Sequence, residues 1–193
     1  MRIERLVVAS KNEDKLGEIE AVLLGLGLVK EIVAGLDWPD IEETEPTLEG
    51  NALLKARTVA AVTGLPCLAD DTGLEVAALD GAPGVRSARF AGETASYADN
   101  VRALLEKLAG ISDRSARFRT VMALVIPGGW EVVAQGVLEG LIIDTPRGDT
   151  GFGYDPVFDV GGRTLAELAA VEKNAISHRG RALRALADKL RRI

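Results

Sequence analysis

The stretch RLVVASKNEDKLGEIEAVLLGL, residues 5–26, decides the fold class. Its first part, from Arg5 to Ser10, is a short run apolar on both faces, as in a strand of a sheet covered by helices. A polar turn follows. Residues 14–26 then carry Leu16, Ile19, Leu23 and Leu26 at helical spacing. Strand, loop and helix in that order open an α/β protein.

The remaining chain repeats this mixture. Residues 47–63 read as a second helix, with Thr47 as N-cap after Pro46. Residues 67–69 form a short strand that ends in Asp70-Asp71-Thr72-Gly73, and residues 81–92 have the glycines and proline of a long loop. A third helix over 96–109 gathers Tyr97, Val101, Leu104, Leu105 and Leu108 on one apolar face. Strands over 117–126 and 130–138 are joined at Pro127-Gly128-Gly129 as a hairpin, and another strand fits 141–143. A glycine-rich loop spans 148–153. A final helix over 177–190 buries Leu183, Leu186 and Leu190. Mixed strands and helices predict an α/β layered fold, and 193 residues suit a single domain, 1–193, with room for two lobes.

Composition narrows the functions. An apolar share of 47% supports a packed core. The apolar runs, such as Val121 to Ile126, fall far short of the roughly 20 residues that cross a bilayer. Leu6 to Ala9 is too short for the apolar part of an export signal, so no membrane role and a cytoplasmic location are expected. One cysteine and one histidine leave no internal disulfide and no Cys/His zinc site. Cys67, in an apolar stretch, reads as a buried small residue. A net charge of −6 speaks against a nucleic-acid partner. The charge is uneven: from Glu31 to Gly50 inclusive there are seven acids and no Lys or Arg, whereas the tail after Gly162 is basic.

Five segments carry candidate chemistry. Ser10, Lys11, Asn12, Glu13, Asp14 and Lys15 lie at a helix N-terminus, a natural seat for phosphate, though the same residues also make a capped surface turn. Asp70 and Asp71 are neighbours on a strand and point to opposite faces, so their roles differ. One suits Mg²⁺ or a water molecule and the other a brace, or the pair simply forms a turn. Glu42-Glu43-Thr44 is either a solvated acidic run or, facing Asp71, part of a metal site. In Gly151-Phe152-Gly153-Tyr154-Asp155 the glycines admit close approach and an aromatic ring can stack on a nucleobase; a plug at the sheet edge is the alternative. Lys173, with His178 and Arg179 at the start of the last helix, suits phosphate or a purine oxygen, or a solvated basic face.

Taken in order, these segments resemble the inosine triphosphate pyrophosphatase family, the non-canonical purine nucleotide hydrolases. The resemblance rests on residues 10–15, Glu42-Glu43-Thr44, TLEGNALLKA (47–56), ADDTG (69–73), GAPGVRSARFAG (81–92), FGYDPVF (152–158) and SHRG (177–180). It implies an elongated two-lobed fold, a long mixed β-sheet flanked by helices, an active-site cleft between the lobes and a homodimer. It implies Mg²⁺-dependent cleavage of ITP, dITP and XTP between the α- and β-phosphates, giving a monophosphate and pyrophosphate. By position it makes Asp71 the proton acceptor and a metal ligand, with Glu42 the second metal contact. Ser10 to Lys15, Lys55 and Lys173 would bind the triphosphate. Thr72, Phe152, Gly153, Tyr154, Asp155, His178 and Arg179 would complete the nucleotide pocket, the His178-Arg179 donors facing the purine O6.

The first loop departs from the family's Thr-Gly-Asn-x-Gly-Lys, because Lys11 and Asp14 replace both glycines. Arg86 stands where Tyr is frequent, and Thr72 where Ser is common. A related α/β pyrophosphatase acting on modified pyrimidines and a nucleotide-binding regulator without turnover are the rival readings of the same segments.

Overall fold

The computed structural model describes residues 2–192. Its elements are β1 (Ile3–Val8), α1 (Glu13–Leu26), β2 (Val29–Ile32), α2 (Leu48–Thr63), β3 (Cys67–Val76), β4 (Pro83–Gly84) and α3 (Tyr97–Lys107). They continue with β5 (Ser115–Ile126), β6 (Trp130–Ile142), β7 (Phe158–Val160), β8 (Arg163–Thr164), α4 (Ala170–Ile176) and α5 (His178–Arg191). The strands form one mixed sheet in the order β2-β1-β3-β5-β6-β7-β8, with β4 paired to β3.

The chain divides into two compact units, the first from the described residues of 1–71, 120–136 and 178–193 and the second from 72–119 and 137–177. In the first unit β1 lies parallel to β2 and to β3, with Val7 opposite Cys67 and Val8 opposite Leu68. Parallel strands need crossover helices. The apolar stripe of α1 (Ile19, Leu23) and that of α5 (Leu183, Leu186, Leu190) pack there with Leu6, Val8, Leu68 and Met122. In the second unit α3 buries Val101 and Leu104 with Leu74, Phe118, Tyr154 and Phe158. Here β6, β7 and β8 pair antiparallel, with Ile142 opposite Phe158.

Two of the element expectations are corrected. The Asp70-Asp71-Thr72-Gly73 segment lies inside β3, not at a strand's end. Gly73 continues the strand, and a Cβ there would come 2.7 Å from the Gly84 carbonyl oxygen, so the glycine allows close approach to β4. The strand expected over 141–143 is the continuation of β6, which runs unbroken from Trp130 to Ile142. The expected hairpin at Pro127-Gly128-Gly129 is present between β5 and β6, with both glycines at positive φ.

Candidate active site

The site residues of the first unit converge on the middle of β3. Alternation along the strand sends Asp70 and Asp71 to different surroundings. Asp70 is 2% exposed; it accepts from Arg179 Nη2 at 3.2 Å and lies 3.4 Å from Lys15 Nζ. Arg179, equally buried, also pairs with Glu18 of α1. Burial works against the charge of Asp70, but Lys15, Arg179 and Lys55 prevail and hold its carboxyl well below the usual carboxylate range. It stays an anion.

Asp71 shows the opposite balance. It accepts from Asn51 Nδ2 at 3.1 Å and lies 3.8 Å from Lys55 Nζ. Burial and the nearby Glu43 outweigh Lys55, Lys15 and the Asn51 bond, pushing its carboxyl up to about 6. The two adjacent carboxyls are thus shifted in opposite directions, Asp70 down by its cations and Asp71 up by burial.

Helix α2 builds the other wall. Thr47 caps it by accepting from the Gly50 amide at 3.0 Å. Asn51 and Lys55, one turn apart, then face β3 together. Asn51 is fully buried and its Oδ1 accepts from the Glu45 amide at 2.9 Å, tying the acidic loop to the helix. Lys55 Nζ donates to Glu43 Oε1 at 2.5 Å.

The structure therefore brings Glu43, not Glu42, to Asp71: Glu42 is exposed, whereas Glu43 shares Lys55 with the aspartate. Among the described residues no group of three or more His, Cys, Asp or Glu side chains is gathered as a metal cage. Mg²⁺ does not ask for one, since it is commonly held by one or two carboxylates with waters and substrate phosphates. Glu43 and Asp71 fit that pattern.

The first loop is organised by its own side chains. Ser10 Oγ accepts from the Asn12 amide at 3.2 Å, and Asn12 Oδ1 accepts from the Lys15 amide at 3.1 Å as the N-cap of α1. Glu13 and Asp14 are exposed in the first turn, so the acid that replaces a glycine sits on the solvent side. Lys11 pairs with Asp40 of the acidic loop at 2.5 Å.

In the second unit the 150–155 loop is fixed through Asp155. Its Oδ2 accepts from the Phe152 amide at 2.8 Å and from Lys173 Nζ at 2.5 Å, and both charged residues are buried. Lys173 also stands over the Phe152 ring, 4.6 Å from its centre. Of the two aromatics of this loop, the Tyr154 ring turns inward. It is 4% exposed, packs in the core and donates its hydroxyl to the Ser87 carbonyl at 2.9 Å; burial pushes its ionisation above the ordinary tyrosine value. Phe152, only partly buried, is the ring available to a ligand. Thr72, beside Asp71, is half-buried.

His178 and Arg179 open α5 as expected and are both buried. Arg179 is turned to Asp70 and Glu18 and braces the aspartate, a use the sequence reading did not contain. Asn51 and Glu18 were outside the sequence expectations, and Glu43 was named there only within the acidic run Glu42-Glu43-Thr44. The signal for Asn51 was present: a polar residue one turn before Lys55 on a helix face otherwise made of Leu48, Ala52, Ala56 and Val59.

Known proteins match nearly the whole chain. Residues 6–189 match the model of the Ham1 family. A protein named dITP/XTP pyrophosphatase from Geobacter sulfurreducens is 51% identical over 191 residues, spanning 96% of this chain and 96% of its own. A protein of the same name from Symbiobacterium thermophilum is 50% identical over 195 residues, spanning 98% of this chain and 96% of its own. Among solved structures, a HAM1 protein from Coxiella burnetii superposes with a TM-score of 0.85 at 47% identity, covering 99% of this chain and all 100% of that one. With that likeness, the mixed α/β sheet flanked by helices and the ordered motifs lead to one assignment: the chain belongs to the Ham1 family.

Proposed function

We propose that the protein is a Mg²⁺-dependent nucleoside-triphosphate pyrophosphatase that hydrolyses the non-canonical purine nucleotides ITP, dITP and XTP to monophosphate and pyrophosphate, clearing them from the nucleotide pool. The observation that carries this reading is the setting of Asp71. Asp71 is buried, is held by the Asn51 amide at 3.1 Å and shares Lys55 with Glu43, at 3.8 and 2.5 Å, so that a proton acceptor, a second acid and a cation stand together as phosphoanhydride hydrolysis requires. The names of the 51% and 50% identical relatives supply the substrate class.

Glu43 and Asp71 would hold the Mg²⁺, which when bound neutralises charge on the phosphate oxygens. Asp71 takes the proton from the water that attacks the α-phosphorus, held in place by the Asn51 amide. Lys15, Lys55 and Lys173, with the amides of residues 10–15 and Lys11, receive the triphosphate and stabilise the departing pyrophosphate. Arg179 keeps Asp70 ionised and still, and Asp70 in turn anchors Lys15. Phe152 supplies the stacking surface for the base, with Gly153 and Thr72 beside their neighbours in the same motifs; Tyr154 and Asp155 fix the loop. Donors of the His178 segment favour a keto oxygen at the purine 6-position over the amino group of adenine, where donor would face donor.

We further read the protein as a cytoplasmic homodimer with no nucleic-acid or membrane partner. Among the described residues no helix is long and apolar enough to cross a membrane.

The test is a panel of ITP, dITP, XTP, dUTP, dTTP and the standard purine triphosphates with and without Mg²⁺, with products separated. Monophosphate and pyrophosphate from the first three, dependent on Mg²⁺, is the expected result; release of orthophosphate, preference for the pyrimidines, or tight binding without turnover would overturn the reading. Glu43→Gln and Glu42→Gln then separate the two acids. The first should raise the Mg²⁺ requirement about 10-fold or more, and the second should leave it near that of the wild type.

A further inference from the structure

We infer that Tyr97 is a positioning residue that holds the Phe152 ring as a platform for the nucleobase, a role that rests on the nucleotide reading above. Tyr97 is the first residue of α3, and its place there is fixed from several sides. Ser96 caps the helix reciprocally with Asp99: the Asp99 amide donates to Ser96 Oγ at 3.2 Å and the Ser96 amide to Asp99 Oδ2 at 3.0 Å. One turn on, Asn100 accepts from the Ala91 amide at 2.8 Å and donates to the Ala88 carbonyl at 3.0 Å. Val101 and Leu104 anchor the helix in the core. The start of α3 is a rigid mount.

On this mount Tyr97 keeps 41% of its surface exposed, although the helix pattern assigns it to the apolar face. Its ring centre lies 6.0 Å from that of Phe152, with the planes inclined at 39°, within the range of favourable tilted aromatic pairs. Phe152 needs an outside support. Its neighbours Gly151 and Gly153 both have positive φ, at 73° and 64°, and offer no side chain to limit its rotamers. Its amide is pinned by Asp155 and its ring is approached by the buried Lys173 cation. Those contacts fix the backbone and part of the ring; Tyr97 supplies an aromatic contact from an element with its own foundation.

The space around the pair explains why the contact matters. Tyr97, Val101, Leu105, Pro146, Phe152 and Pro156 are among the residues lining an open pocket of about 540 Å³. Removing the tyrosine ring enlarges the room into which Phe152 can turn. A base must then pay for ordering the ring on which it stacks, an entropic cost that appears in binding and leaves the phosphates untouched.

The experiment compares Tyr97→Ala and Tyr97→Phe with the wild type on ITP, dITP and XTP, using inorganic tripolyphosphate as a base-free competitor. Tyr97→Ala should raise KM about 3- to 10-fold with kcat within about 2-fold, leave the inhibition constant for tripolyphosphate unchanged, and keep its melting temperature within a few degrees. Tyr97→Phe should restore the wild-type KM. An unchanged KM in Tyr97→Ala, an equal loss of affinity for tripolyphosphate, or failure of Tyr97→Phe to rescue would each overturn the inference. Direct binding of ITP and of tripolyphosphate carries the same contrast. The role of Tyr97 can therefore fail while the pyrophosphatase reading stands, and can be judged even if the wild type turned nothing over.

Discussion

Replacing Asp71 by Asn should make the metal-free protein more stable at pH 8 while removing its activity. Burial raises the Asp71 carboxyl from an ordinary 3.8 to about 6, so the folded state binds its proton more tightly than the unfolded chain does. The contribution of this group is most favourable below about 3.8 and is lost as pH rises through about 6. At about 1.4 kcal/mol per pH unit, the ionised carboxyl costs the fold up to about 3 kcal/mol at pH 8, falling to about 1 kcal/mol at pH 4.5. Asparagine removes that cost and keeps an acceptor for Asn51, and Lys55 retains Glu43. Denaturant unfolding in EDTA at the two pH values measures the difference. The variant should exceed the wild type by up to about 3 kcal/mol at pH 8, with the gap closing toward acid pH, and turnover with Mg²⁺ should fall by about 100-fold or more. A variant less stable than the wild type at pH 8, or a difference independent of pH, would refute the reasoning about burial. Near-normal turnover would remove Asp71 as the base.

Two glycines should respond in opposite ways to the same substitution. At Gly136 on β6 a Cβ would run into the backbone of α5, at the His178 carbonyl and the Ala182 amide; Gly136→Ala should destabilise by about 3 kcal/mol or more. Gly17, exposed in α1 with open space around it, should gain up to about 1 kcal/mol on change to Ala, and thermal unfolding of both variants checks the pair. Cys67 is fully buried and burial pushes its thiol up to about 12. Thiol reagents at pH 8 should therefore leave the native protein unlabelled and modify it fully after unfolding; rapid labelling of the native state would contradict its placement.

Local patterns in the chain reported local structure well. The spacing of Ile19 and Leu23, and of Leu183, Leu186 and Leu190, named the faces of α1 and α5 that are buried, because helical period and burial are coupled by geometry. Short elements such as β2 and α4 were missed, since four to seven residues give a period too little room. The Asp70-Asp71 pair announced a division of roles through strand alternation alone. Its electrical content did not: which aspartate stays ionised depends on Arg179, 109 residues away along the chain, and on Lys15 and Lys55. Likewise no rule of spacing shows that Lys55 reaches Glu43 rather than Glu42 in a loop. The inward turn of Tyr154 was hidden for a related reason. Its neighbours Gly153 and Asp155 read as a ligand loop, while its hydroxyl found the Ser87 carbonyl, 67 residues away in sequence.

The central claim is that water attacks the α-phosphorus of an unusual purine triphosphate under the direction of Asp71. Hydrolysis of dITP with Mg²⁺ in ¹⁸O-labelled water, with both products analysed by mass, addresses it directly. One labelled oxygen in the nucleoside monophosphate and none in the pyrophosphate is the predicted result. Label in the pyrophosphate, or a nucleoside diphosphate among the products, would contradict it.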